Sequence, residues 1–388
     1  MIKTTFVSKN YSGWGCLSVL TEEVQRLGAK KALLITDPFL RRNGMADNIA
    51  ARLKDIGVDS VIYDEVAAEP PLALAQSLVD FTRAQAADLV IGLGGGSVLD
   101  LAKLAAVFAE QEGEVREYLN LSGSKSLSTR GLPKIMIPTT SGTGSEITNI
   151  SVLSLESTKD VIAHDFLLAD VAIVDPELTV SVPPRVTAAT GIDALTHAVE
   201  SYVSIHANPV TEALSLQAIR LISRSLRTAV QNGEDRQARE DMSYGSYLAG
   251  IAFFNAGVAG VHALAYPLGG QFHIAHGESN AVLLPYVMGY IASACEKRLK
   301  DIYEAMGFSA AYLSQSEAAQ ACIARLEELV KDVGIPNSLQ AFDIPESALP
   351  SLVADGCKQT RLLARSPMPL QEADIAKIYR AAWEGKTF

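Results

Sequence analysis

Short apolar runs alternate with longer amphipathic stretches along the first half of the chain. The runs are rich in β-branched and aliphatic residues, and they lie at 31–36, 59–63, 88–93, 134–140 and 171–175. Between them, apolar residues recur at helical spacing. This alternation is typical of right-handed βαβ units, in which a helix connects each strand to a parallel neighbour. The pattern therefore predicts an α/β domain built on a parallel sheet.

The pattern changes after Pro183 and Pro184. Long segments carry apolar residues three and four positions apart, as amphipathic helices do, at 185–203, 209–230, 238–266 and 316–333. Proline suits the first turn of a helix, where a missing amide proton costs little, so the proline pair indicates a helix start. We predict an all-α second domain and a boundary near residue 180, which divides the chain into residues 1–180 and 181–388.

Composition and charge exclude several classes of partner. A net charge of −11 and an isoelectric point near 5.1 do not suit a nucleic-acid-binding protein, which needs clustered Lys and Arg. No apolar run approaches the ~18 residues of a membrane span, and the first residues lack a signal-peptide pattern. We therefore expect a cytoplasmic protein without a membrane partner. The four cysteines are scattered without a CxxC pair, which indicates ordinary thiols.

A glycine-rich turn follows the third apolar run. Gly94, Gly95 and Gly96 come directly after a buried strand, and Ser97 with Asp100 forms a Ser-x-x-Asp capping pattern that opens a helix. Glycines let a backbone approach a pyrophosphate closely, and a helix N-terminus offers N–H groups, so the turn is a candidate phosphate site of a Rossmann-like domain. The alternative is a purely structural turn, because short glycine motifs are often false positives.

Two further segments lie at the carboxyl ends of predicted strands, where open α/β sheets bind ligands. The run 138–146 offers hydroxyls and glycine amides, and its candidate nucleotide contacts are Thr139, Thr140 and Thr143. Asp37 ends another strand. A carboxylate there accepts hydrogen bonds from a ribose and repels a 2′-phosphate, which favours NAD over NADP. The alternative for Asp37 is a turn with Pro38.

Residues of the types that bind metals concentrate in two segments of the second half. Asp193 and His197 are four residues apart on a predicted helix, hence on one face. His262, His273 and His276 fall within 15 residues of an otherwise apolar stretch. Imidazole and carboxylate groups suit iron(II) or zinc, and an idle buried histidine is costly. Any single histidine fits equally as a hydrogen-bonded core residue, but the cluster favours a metal site.

These segments resemble the iron-containing alcohol dehydrogenases, a family that includes lactaldehyde reductases and propanediol dehydrogenases. The resemblance runs along nearly the whole chain. Its motifs are Gly94 to Ser97 with Asp100 and Lys103, the run 138–146, the segment 191–197, and His262 followed by His276. It implies the dehydroquinate synthase-like fold of that family, with an N-terminal α/β domain that binds NAD and a C-terminal helical domain that holds iron(II). It also implies a homodimer or a larger assembly.

The resemblance assigns roles by position. It implies that iron(II), or zinc in its place, is held by Asp193, His197, His262 and His276. It implies NAD contacts at Asp37, Gly96, Ser97, Thr139, Thr140, Thr143 and Lys159. Phe253 resembles the aromatic wall beside the nicotinamide, although it fits nearly as well as a core residue. Many members have a histidine where this chain has Tyr266. We hypothesise that His273 titrates in the proton path and that Tyr266 is at most a hydrogen-bonding link.

The resemblance implies reversible hydride transfer between a small primary alcohol or aldehyde and NAD, with the metal polarising the substrate oxygen. One alternative is a hydroxyacid-oxoacid transhydrogenase, which keeps its nicotinamide bound through turnover. Another is a dehydroquinate synthase-like lyase, whose charged substrates need Lys and Arg near the metal, where the sequence offers only Arg185. A third alternative is a non-catalytic NAD sensor, whose hallmark is the loss of metal ligands.

Overall fold

The computed structural model describes residues 3–155 and 159–388, which divide into an α/β unit and a helical unit. The α/β unit comprises Phe6–Thr140 and Gly144–Thr179. The helical unit comprises Val180–Phe388, the segment Ser141–Thr143 and the start of the chain up to Thr5. An α/β first half and an all-α second half confirm the predicted fold class.

In the described part of the chain, the α/β unit is built on a six-stranded parallel sheet. Its strands, in the order in which they pair, are β1 (Lys9–Ser12), β8 (Val171–Val174), β5 (Lys134–Pro138), β4 (Leu89–Gly94), β2 (Lys31–Ile35) and β3 (Asp59–Tyr63). All five predicted strands are present. The sequence pattern missed β1 because this edge strand is short and only partly buried, so it lacks an apolar run.

Helices connect the strands of this sheet, as the alternating pattern predicted. They are α1 (Leu20–Arg26), α2 (Pro38–Arg42), α3 (Met45–Asp55), α4 (Leu72–Gln85) and α5 (Gly96–Phe108). An antiparallel pair, β6 (Ile150–Ser154) and β7 (Lys159–Ala163), lies apart from the main sheet and was not predicted. Strand β4 is buried throughout, which explains its unbroken apolar sequence.

Long helices build the other unit. They are α6 (Pro184–Val203), α7 (Pro209–Gln231), α8 (Arg236–Ala256), α9 (Gly260–Phe272), α10 (His276–Ala305), α11 (Gln315–Asp332), α12 (Leu349–Cys357), α13 (Thr360–Leu363) and α14 (Glu372–Glu384). Helix α6 begins at Pro184, as the proline pair predicted. Buried side chains from α6, α7, α9, α10 and α11 contribute to one apolar core.

The predicted helical segment 238–266 is not continuous. Gly257, with a φ of 81°, ends α8, and the chain bends by 104° before α9 begins. A left-handed glycine after a helix is a common stop signal, which an apolar periodicity alone does not reveal. Among the described residues, no single helix is long and apolar enough to cross a membrane, whereas α8 and α9 meet that test together as a bent pair.

Candidate functional site

Four candidate metal ligands lie in the helical unit. Asp193 and His197 are one turn apart on α6, His262 lies in the first turn of α9, and His276 is the first residue of α10. His276 is half-buried and the other three are buried. The break at Gly257 starts a new helix just before His262. The fold thus brings together residues from both predicted segments.

The ligand atoms of Asp193, His262 and His276 lie within 4.8 Å of one another, a group that does not include His197. Oδ1 of Asp193 lies 3.6 Å from Nε2 of His276 and 3.7 Å from Nε2 of His262. The corresponding distance to Nε2 of His197 is 3.9 Å. With metal–ligand bonds of about 2.1 Å, tetrahedral ligand atoms lie about 3.4 Å apart, so the observed spacing fits a divalent first-row metal.

Glu200, also on α6, contacts one of these ligands. Its carboxylate is fully buried and lies 2.6 Å from Nδ1 of His262. Because a carboxylate only accepts hydrogen bonds, Nδ1 carries a proton, and in the neutral ring the lone pair resides on Nε2. Nε2 is the atom that faces Asp193, so this tautomer is the one that a metal ligand requires.

Asn280 lies one turn after His276 on α10 and places its amide nitrogen among the ligand atoms. Nδ2 is 2.7 Å from Oδ1 of Asp193, 3.1 Å from Nε2 of His262 and 3.2 Å from Nε2 of His276. Among the described residues, its buried Oδ1 has no hydrogen-bond partner. The convergence of one carboxylate oxygen and two imidazole nitrogens fits a bound cation, and this mixed set of oxygen and nitrogen atoms suits iron(II).

Burial and the charges of neighbouring side chains shift the pKa values of three residues in the cluster. Burial raises the pKa of Asp193, but the charges and hydrogen bonding of the neighbouring imidazoles outweigh it and hold this pKa well below its usual range. Burial lowers the pKa of His197 to about 4. Burial also disfavours a charged His262, but the Asp193 and Glu200 carboxylates outweigh it and raise its pKa to about 9. A cation that binds here therefore displaces a proton from His262.

Phe253 and Tyr266 lie beside the ligands. The Phe253 ring stacks on His197, with centroids 4.2 Å apart and planes at 17°. The Tyr266 ring is 6.0 Å from the ring of His276. Both aromatic residues belong to what we call the apolar cluster, whose other members are Val258, Ala263, Leu362 and Leu363. An apolar wall next to a few polar groups is typical of a pocket for small organic molecules.

His273, which the sequence suggested as the titrating group, ends α9. Its backbone is left-handed, with a φ of 54°, and its side chain is exposed. Over the described ranges, no hydrogen bond or ring contact joins His273 to a ligand. Tyr266 is buried and close to His276. The geometry therefore favours Tyr266 over His273, the reverse of the ranking from sequence, because the left-handed residue directs the chain out of the helix.

The glycine turn of the α/β unit joins β4 to α5, as predicted. Gly95 is the residue before the helix, and within the described residues no side-chain cap satisfies the N–H groups of the first turn. In the same part of the chain, a Cβ added at Gly95 would meet only the Thr140 side chain, at 3.5 to 3.6 Å, so this position has room for a methyl group. N–H groups without a side-chain cap at a helix start fit a pyrophosphate.

The predicted capping pattern of Ser97 and Asp100 is wrong. Asp100 does not cap α5, because its carboxylate is buried and used elsewhere. It accepts hydrogen bonds from the Ser145 hydroxyl and the Val152 amide, and it pairs with Lys103 at 3.0 Å. These bonds hold α5 against the neighbouring segments. Asp100 thus supports the turn from within, and a direct contact between Asp100 and NAD stays a prediction that this burial does not favour.

Thr139 and Thr140, two other predicted NAD contacts, lie near the glycine turn. The amide of Thr139 donates to the carbonyl of Gly94 at 3.0 Å, which places Thr139 and Thr140 beside the turn. Thr143 belongs to the segment Ser141–Thr143 of the helical unit. Lys159 begins β7, where its buried ammonium pairs with Glu69.

Asp37 caps a helix, which is the structural alternative to NAD binding at this position. Its Oδ1 accepts hydrogen bonds from the amides of Phe39 and Leu40, so Asp37 caps α2, and Pro38 occupies the first turn. The cap uses one carboxylate oxygen. The other oxygen remains for a ribose, so the two roles are compatible.

The site that the sequence predicts does not include two residues of the metal cluster: Asn280, and Glu200, which the sequence alone places either on the surface or beside the ligands. Both carried a signal in their spacing. Glu200 is three residues after His197, and Asn280 is four residues after His276, so each shares a helix face with a candidate ligand. Polar residues at such positions in a buried helix indicate partners of the ligands.

Family comparisons match both halves of the chain. The description "Iron-containing alcohol dehydrogenase" matches residues 8–176, and "Fe-containing alcohol dehydrogenase family, C-terminal" matches residues 187–383. A relative from Geobacillus thermodenitrificans, Long-chain-alcohol dehydrogenase 1, is 64% identical over 383 residues, which cover 99% of this chain and 97% of the relative.

Solved structures agree with these matches. A 1,3-propanediol oxidoreductase is 39% identical and superposes with a TM-score of 0.94 over 99% of this chain and all of the other. A sulfoacetaldehyde reductase from Bifidobacterium kashiwanohense, solved in complex with NAD+, is 26% identical and superposes with a TM-score of 0.88 over 98% of each chain.

Proposed function

The chain belongs to the iron-containing alcohol dehydrogenase family, and from this premise we propose how its own residues perform the reaction. It is an oxidoreductase that interconverts alcohols and aldehydes with iron and NAD as cofactors. The observation that carries the residue assignment is the convergence of imidazole nitrogens on Oδ1 of Asp193. The proposed metal ligands are Asp193, His197, His262 and His276.

When bound, iron(II) would supply Lewis acidity toward the substrate oxygen, and NAD would supply the acceptor for the hydride. The residues of the chain position these groups and control water and protons. Phe253 covers His197 by stacking on its ring, which keeps water from one ligand. Tyr266, whose ring lies 6.0 Å from that of His276, is the proposed route for the alcohol proton.

We propose that residues 1–180 form the NAD-binding domain and residues 181–388 the metal-binding, catalytic domain. The glycine turn, with Gly94, Gly95, Gly96 and Ser97, approaches the pyrophosphate through its backbone. Thr139, Thr140, Thr143 and Lys159 are further contacts. Asp37 binds the adenosine ribose and repels a 2′-phosphate. The start of α5, which has no side-chain cap among the described residues, supports this assignment.

We propose that, among primary alcohols, this chain prefers those with an apolar carbon chain. The apolar cluster beside the ligands supports an aliphatic substrate. The relative that is 64% identical is named a long-chain-alcohol dehydrogenase, which supports greater length. A homodimer or larger assembly and a cytoplasmic location stay predictions.

A series of straight-chain primary alcohols from ethanol to hexadecanol, assayed as NADH formation with the iron-loaded protein, tests this proposal. We expect kcat/KM to rise with chain length, by about threefold to fourfold per buried methylene until the pocket is filled. A maximum at ethanol or propanol contradicts the apolar-chain proposal. NAD that stays bound through turnover, with no free NADH formed, identifies the transhydrogenase alternative.

A further inference from the structure

Glu200 is an acidic residue with no assigned role in the reaction, yet it is completely buried. It lies on α6, on the helix face that carries Asp193 and His197. A buried carboxylate is costly unless several donors satisfy it. The hydrogen-bond partners of the Glu200 carboxylate therefore indicate its role.

Each oxygen of Glu200 has a different partner on α9. Oε1 accepts a hydrogen bond from the Val261 amide at 2.7 Å, and Oε2 lies 2.6 Å from Nδ1 of His262. The residue before this helix, Ala259, offers no side-chain cap. One carboxylate thus satisfies an amide at the start of α9 and the outer ring nitrogen of His262.

The geometry assigns Glu200 as a positioning residue of the metal centre, an inference that rests on the proposed metal site. By accepting a hydrogen bond from Nδ1–H of His262, Glu200 leaves Nε2 of that ring available to a cation. By accepting a hydrogen bond from the first turn of α9, it also holds the ring against α6. Glu200 and Asp193 also bring two negative charges into a buried site. A divalent cation balances that charge.

Glu200→Gln tests this inference with little change of size. Glutamine has one accepting oxygen and one donating NH2, so it cannot accept from both the Val261 amide and Nδ1 of His262. If its NH2 faces the ring, the His262 proton moves to Nε2, where it blocks a metal. We expect the dissociation constant for Co2+, measured by chelator competition, to rise about 10- to 100-fold. The visible absorption of the Co2+-loaded protein should change as well.

Glu278→Gln is the matched control. Glu278 is also buried and follows His276 by two residues, but its carboxylate pairs with Arg185 rather than with a ligand. We expect wild-type Co2+ affinity and an unchanged spectrum for this variant. If Glu200→Gln does not fold, Glu200→Asp replaces it. Its carboxylate is one methylene shorter, so it cannot hold both partners, and we expect weaker Co2+ binding.

Two outcomes separate this inference from the metal site itself. Wild-type Co2+ affinity in Glu200→Gln, with a lowered melting temperature, shows that Glu200 only caps a helix, and this overturns the inference. If His262→Ala also binds Co2+ as the wild type does, the proposed site is wrong. If His262→Ala loses Co2+ while Glu200→Gln keeps it, the site stands and the role of Glu200 falls.

Discussion

The metal cluster of the helical unit and the glycine turn of the α/β unit bind their proposed ligands by different means. The cluster uses side chains from three helices, and Glu200 and Asn280 hold those side chains in place. The turn uses backbone N–H groups and glycines such as Gly95, where a Cβ would be in van der Waals contact with Thr140. A side-chain site depends on the identity of each residue, whereas a backbone site depends on room and conformation. Single substitutions should therefore affect the two sites differently.

Removal of an imidazole ligand should have the largest effect. We expect His262→Ala and His276→Ala to lose bound iron and to lower turnover by on the order of 10³-fold, because the remaining side chains cannot complete the coordination. Elemental analysis and NADH formation measure the two effects. His206→Ala is the control, since His206 is exposed and outside the cluster. Full metal content in both ligand variants contradicts the site.

A methyl group in the glycine turn should act on NAD without unfolding the protein. The backbone of Gly95, with a φ of −75°, suits alanine, and its Cβ meets only Thr140. We expect Gly95→Ala to raise the KM for NAD about tenfold or more while the melting temperature stays near that of the wild type.

Gly94→Ala is the matched comparison for the turn. Its Cβ falls 2.6 Å from the Val98 side chain, so this variant should lose about 1 to 3 kcal/mol of stability from overpacking. Thermal unfolding with and without NAD separates the two substitutions. An unchanged KM for NAD in Gly95→Ala contradicts the assignment of the pyrophosphate to this turn.

Asp37→Asn should separate the charge of this residue from its role as a helix cap. Asparagine caps helices as well as aspartate does, so we expect the melting temperature to persist. Loss of the charge should raise the ratio of NADP to NAD efficiency about tenfold. Asp37→Ala should in addition lose about 1 kcal/mol of stability. If Asp37→Asn leaves the cofactor ratio unchanged, Asp37 is only a cap.

The smallest effect should distinguish Tyr266 from His273. We expect Tyr266→Phe to lower alcohol oxidation about tenfold or less, as the loss of one neutral hydrogen bond does. His273→Gln should be nearly silent, because that side chain is exposed at the end of α9. The two variants are compared by their rates of alcohol oxidation at subsaturating alcohol, measured at several pH values. A larger loss in His273→Gln restores the sequence-based hypothesis.

The pattern of apolar positions was sufficient for most elements of the fold. The strands at 31–36 and 88–93 are buried on both faces, so their sequences carry unbroken aliphatic runs. The pattern failed at Gly257, where one backbone conformation bends the chain within an apolar stretch. It also missed the pair β6 and β7, whose short strands lack such a run.

The candidate site was predictable to the extent that residue type and spacing carry it. Asp193 and His197 share a face because four residues span about one helical turn. The roles of Glu200 and Asp100 were not predictable, because each depends on a partner from a distant segment: His262 for one, Ser145 for the other. The catalytic role of His273 stays a prediction that its exposed side chain does not favour, because nearness in sequence to His276 does not determine the direction of a side chain.

We propose that one divalent metal ion, held by the cluster around Asp193, makes this chain an alcohol dehydrogenase. The most direct test is titration of metal-stripped protein with iron(II) under anaerobic conditions, with NADH formation from a primary alcohol followed at each addition. We expect no activity without metal. The activity should rise linearly with added iron(II) until one iron per chain is bound, and this rise should be absent in His276→Ala. Full activity of the stripped protein, or an equal rise in His276→Ala, contradicts this proposal.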